Sequence, residues 1–185
     1  MKRTTLTPTL AWLGAVTGAL ALALVSPSES NLMGRMPTVT AKRLDQQRIV
    51  LPQGLPAERT LALVTFQRGH RSEIDSWIQG LRLDRDSTIP WFRMPILNDP
   101  GTDNARGDIE NKLLARHPTE IDRSRLVPVF TDRDAFIRAA GLSSTDHAWV
   151  LVLNREGKVL ARAEGGFDED KAQALRQTLL AQNSD

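Results

Sequence analysis

Apolar and polar positions along this chain fall into blocks short enough to read one element at a time. Thr38 to Leu44 and Arg48 to Leu51 partly alternate around Asp45-Gln46-Gln47, which predicts a small hairpin. Pro52, Gly54 and Pro56 form a turn-rich connection to Leu61-Ala62-Leu63-Val64-Thr65-Phe66. That run has strand length and no polar face, so it is expected to be buried on both sides. After a polar loop, Ser72 with Asp75 three residues on reads as a capped helix start. Ile74, Trp77, Ile78 and Leu81 follow at i, i+3, i+4 and i+7, one apolar stripe. The stripe should pack on the Leu61–Phe66 strand, with Trp77 turned inward toward Trp149 and Leu151 of a later hairpin.

Trp91 to Leu97 predicts a second strand, and Pro95 inside it favours an edge or a bulge. Asn98-Asp99-Pro100-Gly101 is turn chemistry, and a helix from about Ala105 to Arg116 should end at His117-Pro118. Leu126 to Phe130 is a third strand candidate containing Pro128. Asp132 or Asp134 opens a short helix through Phe136, Ile137 and Ala140, with Gly141 closing it. Trp149–Leu153 and Lys158–Ala163 flank Asn154-Arg155-Glu156-Gly157 as a second hairpin. Gly165-Gly166 and an N-cap at Asp168 then introduce a last helix with Ala172, Leu175 and Leu179 inside. Strands alternating with helices and closed by a hairpin predict an α/β fold, a mixed sheet with helices on both faces and an N-terminal hairpin extension.

The first residues change the picture of location. Lys2 and Arg3 precede Leu10 to Val25, 16 residues without a charge, and Ser26-Pro27-Ser28 follows. This is the layout of an export signal, either cleaved after a small-x-small site such as Ala21-x-Ala23 or kept as an anchor. Residues 1–30 are therefore expected to be a leader, 31–37 a tether and 38–185 the folded domain. The domain should lie outside the cytoplasm, periplasmic or on the extracytoplasmic face of the membrane. Its only membrane contact would be the N-terminal segment.

Charge and cysteine usage narrow the chemistry. The leader holds two of the 24 basic and one of the 22 acidic side chains, leaving 22 against 21 in the body. So balanced a surface argues against nucleic-acid binding. Cysteine is absent, which excludes disulfides, thiolate metal sites and thiol catalysis.

The element order resembles the thioredoxin-like superfamily, in its peroxiredoxin-like and extracytoplasmic branches, over about Pro37 to Leu180. The matching pieces are Leu63-Val64-Thr65-Phe66 before a helix, and Val127-Pro128-Val129-Phe130-Thr131-Asp132 before Ala139-Ala140-Gly141-Leu142. The third is Ala148-Trp149-Val150-Leu151-Val152-Leu153-Asn154 with Glu156-Gly157-Lys158-Val159. Members of that superfamily carry a redox cysteine after the first core strand, where this chain has Gln67-Arg68-Gly69-His70-Arg71-Ser72-Glu73. The usual cis-proline would fall near Thr145-Asp146-His147, which contains no proline. The resemblance thus implies a redox-inactive version of the fold. The polar loop, Ser76 beside Trp77 and the final hairpin are also similar to the mitochondrial ATP synthase assembly factor family and its bacterial relatives. That resemblance implies an assembly or chaperone-like role near a membrane, with an unidentified protein partner, no cofactor and no turnover.

Three sets of residues carry candidate chemistry. The resemblance brings the loops of His70 and His147 together, with Glu73 and Asp146 nearby. Two imidazoles and two carboxylates could bind a metal ion or serve as acid and base, and the alternative is a pair of solvated loop histidines. Arg68 and Arg71 could receive an anion or a partner carboxylate, or be ordinary surface arginines. Trp91-Phe92 beside Pro90 could form an exposed aromatic patch for a partner. His117, before a proline at a helix end, should be a surface residue favoured by the helix dipole. Ser72, Ser143 and Ser144 lie in no G-x-S-x-G setting, and Gly165-Gly166 matches no phosphate-binding pattern.

Overall fold

The computed structural model describes residues 33–181, so the leader expected over residues 1–30 lies outside the described residues. A hairpin comes first, β1 (Val39–Lys42) and β2 (Arg48–Leu51), followed by β3 (Arg59–Thr65) and α1 (Arg71–Gly80). Next are β4 (Trp91–Asn98), α2 (Asp103–Leu114), α3 (Glu120–Ser124), β5 (Val129–Thr131) and α4 (Arg133–Ala139). The chain ends with β6 (Trp149–Asn154), β7 (Val159–Glu164) and α5 (Glu169–Leu180). The central sheet has the order β5-β4-β3-β6-β7, and the first hairpin pairs only with itself. β3 runs parallel to β4 and antiparallel to β6, so the sheet is mixed as the order of elements requires.

Period-two alternation splits the core into two layers. Leu61 and Leu63 of β3 face one way, onto Ile74, Trp77 and Ile78 of α1 and Ala172 and Leu175 of α5. Ala62, Val64 and Phe66 face the other way, onto Ala41, Leu51 and Leu55 around the hairpin and Phe136 and Ala140 around α4. Helices thus cover both faces, and the hairpin helps α4 close the second. Several caps follow the expected chemistry: Asp132 accepts from the Ala135 N–H and Asp168 from the Lys171 N–H.

Other expectations are corrected. Trp77 is fully buried, but it packs with Ala148, Val150 and Val152, while Trp149 and Leu151 point to the opposite layer. A continuous apolar strand carries no mark of which parity faces which helix. β4 is not an edge: Pro95 faces the last paired residue of β3, Thr65, and the ladder to β5 begins one residue later at Ile96. The proline therefore occupies the changeover between two ladders. α3 was not anticipated, and the Leu126–Phe130 strand shortens to β5 with a single bridge from Arg93 to Leu126.

Ser72 does not cap α1. A 3-10 turn, Arg68–His70, leads directly into the helix, so Ser72 is already inside the first turn and exposed. Trp91 and Phe92 are 8% and 5% exposed, because successive residues of an interior strand point into the two covered layers. They form no exposed patch. Trp91 donates its indole N–H to the Leu83 carbonyl at 2.8 Å, with the Arg125 guanidinium 4.7 Å from its ring centroid. His117 is half-buried, and burial, then Arg93 and Arg71, hold its pKa below the ordinary value. A dipole-favoured charge does not describe it.

Residues 33–36, expected within a tether, are docked. Met36 is 2% exposed, Arg35 N–H donates to the Ala139 carbonyl at 2.7 Å, and Met36 N–H donates to the Gly157 carbonyl at 2.8 Å. Among the described residues no helix is long and apolar enough to cross a membrane.

Candidate functional site

The peptide that leaves β3 enters the loop where the resemblance places redox chemistry. His70 sits there almost fully enclosed, at 3% exposure. The Phe66 N–H reaches its Nδ1 at 3.4 Å, and an N–H can be accepted only by a ring nitrogen without a proton. The ring proton therefore belongs on Nε2, which donates to the Asp146 carbonyl 3.1 Å away. The Gln67 side-chain amide lies beside the same ring and donates to the Thr145 carbonyl at 3.5 Å. One imidazole thus ties the end of β3 to the loop that enters β6.

A second tie lies beside it. Glu73, in the first turn of α1, accepts the Ala148 N–H at 2.6 Å and the His147 ring at 2.8 Å. A carboxylate only accepts, so His147 donates from Nδ1. Burial raises the Glu73 pKa, but the bonds from His147 and Ala148 outweigh it, and the net displacement is downward. The Glu73 hydrogen bond and charge push the His147 pKa up. A third tie runs from the centre of α1: Trp77 donates to the Gly165 carbonyl at 2.8 Å, and the Ser76 hydroxyl accepts the Phe167 N–H at 2.9 Å. Gly165, whose carbonyl meets the indole N–H, has φ of +83°, which a side chain would resist.

The four residues singled out for metal or acid–base chemistry do meet in one corner, but as a structural clasp. His70 uses both ring nitrogens internally, Asp146 is exposed and contributes its main-chain carbonyl, and His147 stands largely in solvent. Among the described residues no group of three or more His, Cys, Asp or Glu side chains could hold a metal ion. His70 is equally not the solvated loop residue of the alternative. Ser144 is also structural: its hydroxyl bonds Glu164 at 2.8 Å and its carbonyl accepts the Trp149 indole at 3.1 Å.

Arg68 and Arg71 are exposed as expected, and they overhang a groove of about 530 Å³ between α1 and α2. β4 floors this groove through Arg93, Pro95 and Leu97, all on the face that carries α1. α2 buries no residue fully, and it turns Ile109 and Leu113, one turn apart, to the groove. The sequence reading missed Arg93, Lys112 and Arg116, which also line it. The available signal was an arginine on the α1 side of an otherwise apolar interior strand, at the parity of Trp91 and Pro95.

The arrangement defines a class: a cysteine-free α/β protein in which histidine and carboxylate ties occupy the corner beside the first core strand and helix. Comparisons with protein-family models and with curated proteins find no match. Among solved structures, a protein of Aquifex aeolicus VF5 provisionally assigned to electron transfer is similar at a TM-score of 0.57 and 12% identity. That match covers 83% of this chain and 96% of the other. BsSco, of the Sco family of cytochrome c oxidase assembly proteins, is similar at 0.53 and 14% identity, over 80% and 95% of the two chains. The exposed lipoprotein thioredoxin Etrx1 of Streptococcus pneumoniae strain TIGR4 is similar at 0.50 and 12% identity, over 76% and 99%. The fold is thioredoxin-like.

Proposed function

We propose that this protein is an exported, non-redox thioredoxin-like module that binds a protein partner at or near a membrane, in an assembly or chaperone-like role. The observation that carries the reading is the β3–α1 corner. In a chain without cysteine, His70 is buried and bonded where the resemblance places a thiol, while Arg68 and Arg71 remain outside. Such a corner is built to be rigid and to present a surface. Export is supported by Lys2-Arg3 ahead of the uncharged Leu10–Val25 run. Fold neighbours described as an exposed lipoprotein and as a member of an assembly-protein family are in keeping with both parts.

Two measurements test it. A fusion of residues 1–37 to alkaline phosphatase, which becomes active only outside the cytoplasm, should be active. Deletion of residues 10–25 should silence it. An inactive full-leader fusion that is nevertheless produced rejects export. Cross-linking of the full chain in cells should give one stoichiometric protein adduct in the membrane fraction, and its absence rejects the partner-binding role.

A further inference from the structure

The residues that line the groove between α1 and α2 carry an excess of positive charge. Five cationic side chains line it: Arg68 and Arg71 on one rim, Lys112 and Arg116 on the other, and Arg93 on the floor. Asp75 is the only carboxylate among the lining residues, and two arginines share it, Arg71 at 3.5 Å and Arg93 at 3.7 Å. Neither approach is a tight pair. Arg93 Nε is buried without a hydrogen-bond partner among the described residues, which is costly for a guanidinium. Arg68, Lys112 and Arg116 have no side-chain partner among the described residues.

Between the cations the surface is apolar. Ile74, Leu97, Ile109 and Leu113 form a continuous strip, and the last three are only partly buried. The lowered pKa of His117 at the same wall fits an electropositive, partly dry surface. An occupant must therefore bring apolar side chains for the strip and several negative charges for both rims. A ligand with one carboxylate would neutralise one cation and leave the others. We propose that this groove binds an acidic, amphipathic peptide segment of the partner protein, with apolar anchors on the Ile109–Leu113 strip and carboxylates on Arg68, Arg93 and Arg116. This rests on the partner-binding reading above, and it names the chemistry of the partner.

The test uses the full-length chain in uncharged phosphatidylcholine nanodiscs and a fluorescein-labelled 14-residue peptide of alternating Glu and Leu blocks. Anisotropy should show saturable binding that weakens with salt. Arg68→Glu and Arg116→Glu, both at exposed positions, should each weaken it about tenfold or more, because like charges then face each other across the contact. Arg116→Gln, which only removes a charge, should weaken it less, and circular dichroism should show all variants folded. A peptide with Leu replaced by Ser, and another with Glu replaced by Lys, should fail to bind. Equal binding of either substituted peptide, or indifference to the charge reversals, overturns the proposal. So does binding to phosphatidylglycerol vesicles alone, which would make the groove a lipid-facing surface. If the cellular adduct persists unchanged in Arg68→Glu and Arg116→Glu, the groove assignment falls while the partner-binding role stands.

Discussion

Trp77 concentrates more of the structure than any other side chain in the site. It is fully buried, meets the Phe167 ring edge-on with centroids 5.3 Å apart, and donates to Gly165. Trp77→Ala should cost about 3–5 kcal/mol, the range for emptying a buried aromatic site. Urea unfolding that shows less than 1 kcal/mol of loss, on the order of a surface substitution, would mean the core account is wrong. His147 and Glu73 make a prediction with a sign. The His147 pKa is raised above 6.5, so its contribution to stability is complete below that pH and is lost as pH rises through the raised value. The Glu73 pKa is lowered beneath 4.5, so its contribution is complete above that pH and is lost as pH falls through the lowered value. Both are present between about 4.5 and 6.5. His117 acts oppositely: its lowered pKa subtracts stability as pH falls below 6.5. The comparison must therefore be with His147→Gln, whose thermal midpoint should lack the part of the alkaline decline that the wild type shows above neutrality. Parallel midpoint curves from pH 5 to 9 would dismiss the charged tie.

At the level of elements, α1 is held by what docks on both of its ends. Its first turn is bound to the β6 loop through Glu73, and its last residue, Gly80, lies under the Phe167 ring. A Cβ on Gly80 would run into that ring. Alanine is ordinarily the better helix former by about 1 kcal/mol, so helix propensity and packing pull in opposite directions here. Packing should win: Gly80→Ala should lower stability in the wild type and raise it in a Phe167→Ala background. A double-mutant cycle reads that change of sign directly. Additive effects in the cycle would show that the ring does not confine the helix. The same reasoning explains why α2 was placed well from its pattern yet its role was not. Its Ile109 and Leu113 meet an open groove rather than a packed neighbour, and no spacing rule separates those outcomes.

For the molecule as a whole, the docking of residues 33–36 decides where the domain begins. Gly34 and Gly141 let two backbones approach closely: a Cβ on Gly141, at φ of +69°, would fall on the Met33 carbonyl. Met36 then fills a place in the layer that holds the hairpin and α4. Met36→Ala should cost about 2–5 kcal/mol, the range for truncating a buried Met. An unchanged midpoint in chemical denaturation would return this stretch to the status of a free tether.

What the sequence determined by itself is the order and type of the elements, apart from the short α3. Strand and helix periods, the Asp132 and Asp168 caps and the Gly141 stop are local signals, written in residues a few positions apart. They were enough to order a mixed α/β sheet with its hairpin, and it was the resemblance of that order that implied a thioredoxin-like arrangement without its thiol. Tertiary structure alone decided three things that depend on residues distant in the chain. It chose the parity of β6, so that Val150 rather than Leu151 meets Trp77. It buried His70 against a loop 76 residues away, turning a polar loop residue into a tie between β3 and β6. It also gathered Arg68, Arg93 and Arg116 around one groove, although each belongs to a segment whose local pattern reads as an ordinary loop, strand or helix. Local propensity has no access to such pairings, because the energy that selects them exists only once both faces of the sheet are covered.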